Sequence, residues 1–205
     1  MKEESVSVKQ GKKALFYLIV QYQTDKIEAE RTIQMGNGNR GNTMIIKNGL
    51  VFTPEGKFEK KDFYIEGEYV AKETTDNKEV EAEGCYVIPG LVDIHFHGCV
   101  RHDMCDGTEE SIQALADYEA ANGVLAICPA TMTIPEEELF QAMNAAREHK
   151  NGKGADLVGI NMEGPFVNKE KKGAQKEEDI KLADVELFHK LQEAAGGLIK
   201  LVDLA

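Results

Sequence analysis

The chain has 205 residues, 42% of them hydrophobic and 29% charged, with 5 prolines and 4 cysteines, a globular composition that excludes collagen-like, low-complexity and disulfide-dense classes. Its net charge of −12 repels phosphate backbones, so no nucleic-acid partner is expected. The apolar run at residues 14–20 is far shorter than the roughly 20 residues that span a bilayer, and no small-residue cleavage site follows it. The expectation is therefore a cytoplasmic protein with no membrane partner, in which Cys85, Cys99, Cys105 and Cys128 are free thiols, since none forms a Cys-x-x-Cys pair.

Residues 1–43 differ in texture from the rest. Their Gly- and Asn-rich stretch at 35–42 has no periodicity, so this part reads as an atypical extension, either disordered or a misassigned start ahead of Met44. Within it, residues 14–22 fit a short strand or a helix equally well. Residues 44–85 read as a small, partial β domain. It has strands at 44–52 interrupted by a turn at Asn48-Gly49, then strands at 62–66 and 69–73.

From residue 86 the pattern becomes strand–helix alternation. Strands are predicted from Tyr86 into His95, at 124–128, at 157–162 and at 198–204. Helices are predicted at 108–121, with Thr108 as N-cap, at 136–150 behind Pro135, and at 185–195 behind Asp184. A repeat of about thirty residues with uniformly apolar strands implies βαβ units and a parallel sheet. The 120 residues from 86 to 205 hold four such units, so the fold class is α/β: either a small open sheet or the first half of a (β/α)8 barrel.

The most informative stretch is Asp93-Ile-His95-Phe-His97-Gly98. Side chains alternate along a strand, so Asp93, His95 and His97 share a face, with the imidazoles about 7 Å apart. Imidazole is a common ligand of zinc and similar cations, and the pair sits at the C-terminal end of its strand, where barrel active sites lie. Glu163, before Gly164-Pro165, stands at the end of another strand and points to the same mouth. Two imidazoles and a carboxylate there make a plausible metal site; the ordinary alternatives are satisfied histidines and a solvated turn carboxylate. His102, in the loop after the pair, reads as solvated. His149 and His189 lie on helices away from strand ends and are expected on the surface. The basic run at residues 169–172 reads as a solvated loop.

Three motifs together, Pro89-Gly-Leu-Val-Asp-Ile-His-Phe-His-Gly98, Asn161-Met-Glu-Gly-Pro-Phe166 and Lys172-Gly-Ala-Gln175, resemble the N-acetylglucosamine-6-phosphate deacetylases of the amidohydrolase superfamily. The first motif is specific only to the superfamily; the other two are specific to the deacetylases. The resemblance runs from Met44 to the end and implies a partial (β/α)8 TIM-type barrel of four βα units preceded by a small partial β-sandwich domain. It implies a divalent cation, zinc or iron, one or two per site, that activates water for attack on an acetamide. Acetate and glucosamine 6-phosphate would be the products. It makes Glu163 a metal ligand, His95 and His97 ligands of a second metal where one is present, and Ala174 and Gln175 contacts of the amino-sugar phosphate. It also implies a homo-oligomer at full length.

The family's two further histidine ligands, its general acid/base aspartate and its phosphate-binding arginine come from later strands. All of these are expected beyond Ala205, so no catalytic residue is assigned in this chain. Lys200, early in its strand, is at the wrong end for a carboxylated bridging lysine. Half a barrel leaves open edges, so these residues alone are expected to be marginal, aggregation-prone or completed by a partner. Another amidohydrolase acting on a cyclic amide, and a non-catalytic fragment, remain the alternatives.

Overall fold

The computed structural model describes residues 17–21, 43–66, 69–74 and 78–205. The rest of the extension, including its Gly- and Asn-rich stretch, lies outside the described residues. Within the extension, Tyr17–Gln21 is a strand, β1, which decides between the two options the sequence leaves open. Next come β2 (Met44–Phe52), β3 (Phe58–Glu66), β4 (Tyr69–Ala71), β5 (Glu79–Glu81) and β6 (Cys85–Pro89). These six form one mixed sheet in which β2 is central, antiparallel to β3 and parallel to β5 and β6, while β1 runs antiparallel to β6. One face of the sheet buries Met44, Ile46, Val51, Phe63, Ile65, Ala82 and Val87 as a small core.

Asn48-Gly49 does not turn the chain. β2 continues through it with a register shift against β3 between Ile46 and Gly49, which is a bulge. Asp62 on β3 accepts from the Asn48 backbone N–H at 3.0 Å and from Lys47 Nζ at 2.7 Å, holding the bulged residue in place. Asn48 has φ +60°, a conformation Asn tolerates. Gly49 is required by close approach, since a Cβ there would lie 2.6 Å from Val87 Cγ2. The pair supplies what a hairpin turn needs, but the strands on both sides of it already have partners.

The second part begins with β7 (Leu91–Asp93) and a hairpin of β8 (Gly98–Cys99) and β9 (His102–Asp103). Then follow α1 (Glu109–Ala121), β10 (Val124–Ile127), α2 (Glu136–Glu148), β11 (Asp156–Leu157), β12 (Ile160–Glu163), α3 (Val185–Ala194) and β13 (Ile199–Asp203). β10 lies parallel between β7 and β11, and β12 lies parallel to β13. A parallel bridge from Ala130 to Asn161 links the two sets. The spatial order is thus the chain order, all parallel, as successive barrel units require. The sheet is unclosed: among the described residues β7 and β13 each pair on one side, and Leu91, Val92 and Leu201 on them are exposed.

The strand predicted at 157–162 divides in two because its partner changes, β11 bonding β10 and β12 bonding β13. Each helix buries one stripe at helical spacing: Ile112, Leu115, Ala116 and Ala120 on α1; Leu139, Ala142, Met143 and Ala146 on α2; Leu187 and Leu191 on α3. These meet Ile127, Leu157, Ile160, Met162 and Ile199 from the strands in the main core. Thr108 caps α1 by accepting from Ser111 N, and Asp184 caps α3 by accepting from the backbone N–H groups of Glu186 and Leu187. His189 is exposed as expected, but His149 is not on the surface. It stands just past the C-terminus of α2 at 8% exposure, with Glu109 of α1 and Asp156 of β11 close enough to act on its ring.

Candidate metal centre

The chain leaves β7 at Asp93, and the two histidines follow in an extended segment rather than within the strand. That segment is still held in line by its neighbour: Cys128 N donates to Asp93 O at 2.8 Å and Ala130 N to Phe96 O at 2.7 Å. Glu163 is the last residue of β12, two strands away. His95 Nε2 lies 3.3 Å and His97 Nε2 3.1 Å from Glu163 Oε2. The imidazole centroids are 5.3 Å apart with the rings near perpendicular. Asp93 does not join them; its carboxylate turns back to accept from His95 N at 3.0 Å. It also lies close enough to Glu119 on α1 that its charge, second to burial, raises the Glu119 carboxyl above the ordinary range. The strand alternation that groups Asp93 with the histidines ends where the strand does.

These three residues fit a divalent cation. One ligand atom from each lies within 4.8 Å of the others. Glu163 Oε2 is buried and makes no hydrogen bond, although two ring nitrogens face it. Two imidazole nitrogens and a carboxylate oxygen form a donor set suited to zinc and comparable ions.

Surrounding polar groups hold the ligands. Asn161 Nδ2 lies 2.9 Å from His95 Nδ1 and donates to Ile94 O at 3.3 Å. Gln175 Nε2 donates to Glu163 Oε1 at 2.9 Å, while Gln175 Oε1 accepts from Thr133 N. The resemblance places Ala174 and Gln175 against a sugar. In the structure Ala174 is exposed, whereas Gln175 is 4% exposed with both ends of its amide engaged by protein. Gly164 lets the strand end pack on Thr133: its φ is +78°, and a Cβ would fall 2.2 Å from Thr133 Oγ1.

The other candidates stand apart. His102 lies in the β8–β9 hairpin with Nδ1 4.0 Å from Asp106 Oδ2. Lys200 Nζ donates to Gly197 O at 2.7 Å. Cys105 Sγ accepts from Met132 N at 3.2 Å, and burial pushes its thiol up to about 12, which keeps it protonated and unsuited to ligation near neutral pH. Ala205 N donates to Phe166 O at 3.1 Å, tying the segment after β13 to the loop that follows Glu163.

No family model matches the chain. It is 36% identical over 167 residues to the N-acetylglucosamine-6-phosphate deacetylase of Bacillus subtilis (strain 168), covering 78% of this chain and 41% of that protein. The chain is homologous to the N-acetylglucosamine-6-phosphate deacetylases of the amidohydrolase superfamily. The deacetylase of Lysinibacillus sphaericus is 27% identical over 170 residues, covering 80% of this chain and 44% of that protein. The crystal structure of the deacetylase from Pasteurella multocida matches with a TM-score of 0.70 at 20% identity, over 80% of this chain and 45% of that one, a likeness of fold. The chain thus spans less than half the length of the curated relatives it matches.

Sequence reasoning missed the part played by Asn161. A signal existed: Asn161 and Glu163 are two apart on one strand, so they share the face that meets the histidines. The Glu163–Gln175 contact carried no comparable signal, because a loop of irregular backbone separates the two residues.

Proposed function

We propose that this chain supplies metal ligands to a hydrolase that deacetylates N-acetylglucosamine 6-phosphate to glucosamine 6-phosphate and acetate in the cytoplasm. The observation that carries the reading is the convergence of His95, His97 and Glu163 at the C-terminal ends of parallel strands, in a chain homologous to deacetylases. That end of a barrel sheet is where loops from successive strands meet over a substrate. His95 Nε2, His97 Nε2 and Glu163 Oε2 would hold the cation, zinc or iron. When bound, it supplies Lewis-acid polarisation of the acetamide carbonyl and activation of water.

The chain's own residues do the positioning. With a cation on His95 Nε2 the ring proton sits on Nδ1, where the adjacent Asn161 amide would present Oδ1, an oxygen that otherwise makes no hydrogen bond. The His97 ring packs perpendicular to the His95 ring. Ala174, small and exposed, leaves room for a sugar beside the buried Gln175. No general acid or base is assigned to the described residues. A linear acetamide is preferred over a cyclic amide because the Met-Glu-Gly-Pro-Phe and Lys-Gly-Ala-Gln motifs carry the resemblance to the deacetylases.

The test is acetate release from N-acetylglucosamine 6-phosphate, with dihydroorotate ring opening as the comparator, by the protein expressed from its native reading frame with zinc or iron supplied. Acetate release that chelation abolishes, and that Glu163→Gln removes, is the expected result. Ring opening alone, or acetate release that survives chelation, overturns the proposal.

A further inference from the structure

Glu163 is a rotatable carboxylate at a strand end, yet only one of its oxygens faces the histidines. The reason lies in Gln175. This residue sits in a loop pinned at both ends: Gln175 N donates to Lys172 O at 3.1 Å, and Lys172 Nζ donates to Gln175 O at 3.0 Å. Its amide has one available orientation. Thr133 N presents a proton, so the oxygen must face Thr133, and the NH2 group must therefore face Glu163. Nε2 donates to Glu163 Oε1 at 2.9 Å and also lies 3.5 Å from Met132 Sδ. With Oε1 taken, Oε2 is the oxygen left for His95 and His97.

We propose that Gln175 is a positioning residue for Glu163: it holds Oε1 so that the carboxylate presents Oε2 alone, as a single-oxygen ligand, to a cation shared with the two histidines. The inference rests on the metal-site reading given above. Without Gln175, the carboxylate torsion is free over a broad range, and Oε1 loses the donor that fixes it. Groups that orient metal ligands in this way typically contribute about 10–100-fold in affinity.

The experiment measures the zinc dissociation constant of the 205-residue chain by competition with a chelating dye, beside thermal unfolding in a chelator. Gln175→Met keeps the length and packing of the side chain while removing both hydrogen bonds. The expected result is zinc affinity weakened about 10–100-fold. A role confined to holding Thr133 would lower the unfolding temperature in chelator and leave the zinc constant unchanged, and that result overturns the proposal. Should the variant not fold, 15N-labelled unsubstituted chain serves instead. Zinc is then expected to shift the Gln175 Nε2 resonance, and an unmoved resonance under saturating zinc overturns the proposal. Failure of the unsubstituted chain to bind zinc at all is a separate outcome; it overturns the metal-site reading itself, and this inference with it.

Discussion

His149 is a costly residue where it stands. It is 8% exposed at the end of α2, and neither ring nitrogen makes a hydrogen bond. Leaving a buried polar group without a partner costs about 1–3 kcal/mol. Leucine is close to it in volume and carries no polar atoms, so His149→Leu is expected to stabilise the fold by about 1–3 kcal/mol at pH 7.5.

The pH dependence adds a second, independent signature. Burial pushes the His149 imidazole below its ordinary value; Glu109 and Asp156 pull the other way more weakly, and Lys150 reinforces burial. In the unfolded chain the ring titrates near 6.5. As pH falls through that value, the unfolded state takes up a proton that the folded state refuses. Stability is therefore lost progressively from about pH 6.5 down to the lower folded value, at up to about 1.4 kcal/mol per pH unit. His149→Leu removes this contribution, while every shared carboxylate cancels in the difference between the two proteins. The advantage of the variant should therefore widen between pH 7.5 and pH 5.5. Urea unfolding of both proteins at three pH values across that range measures it. A variant less stable at pH 7.5, or a difference that stays constant on acidification, would refute the burial argument.

Leu115→Ala, at a fully buried position on α1, is expected to cost about 2–5 kcal/mol in urea unfolding. A loss under 1 kcal/mol would mean that the helix does not pack on the strands as described. Thr108→Ala removes the oxygen that accepts from Ser111 N at 3.1 Å and should cost about 1 kcal/mol, with Thr108→Asp recovering most of it in the same assay. Gly164→Ala would set a Cβ 2.2 Å from Thr133 Oγ1, so zinc affinity should fall with stability; unaltered zinc binding would show that Glu163 is not held by this contact. Zinc at one hundred times its dissociation constant should raise the unfolding free energy by about 2.7 kcal/mol, and His97→Ala should remove most of that gain.

Local chemistry makes several elements legible in the sequence. Thr108 and Asp184 are oxygen-bearing caps ahead of apolar stripes, and the stripes at spacings of three and four define the buried faces of α1, α2 and α3. The strand–helix alternation implies parallel neighbours because the crossovers are long enough for a helix and no shorter. His95, His97 and Glu163 are legible as a set because each stands where an apolar strand runs out. Asn48-Gly49 is misleading: the dipeptide has the chemistry of a turn, and only the pairing of β2 with β3 on both sides of it makes a bulge.

What the sequence determined on its own is therefore what depends on neighbours within a few residues: caps, periodicity, strand ends and the residue types placed there. Tertiary structure alone decided what depends on groups far apart along the chain. It buried His149 at the end of α2, turned Asp93 back to His95 N instead of the histidine rings, and set Gln175 between Thr133 and Glu163. Hydrogen bonds and desolvation act over a few ångströms of space, and residues 42 apart in sequence, such as Thr133 and Gln175, come within that range only after the sheet has formed.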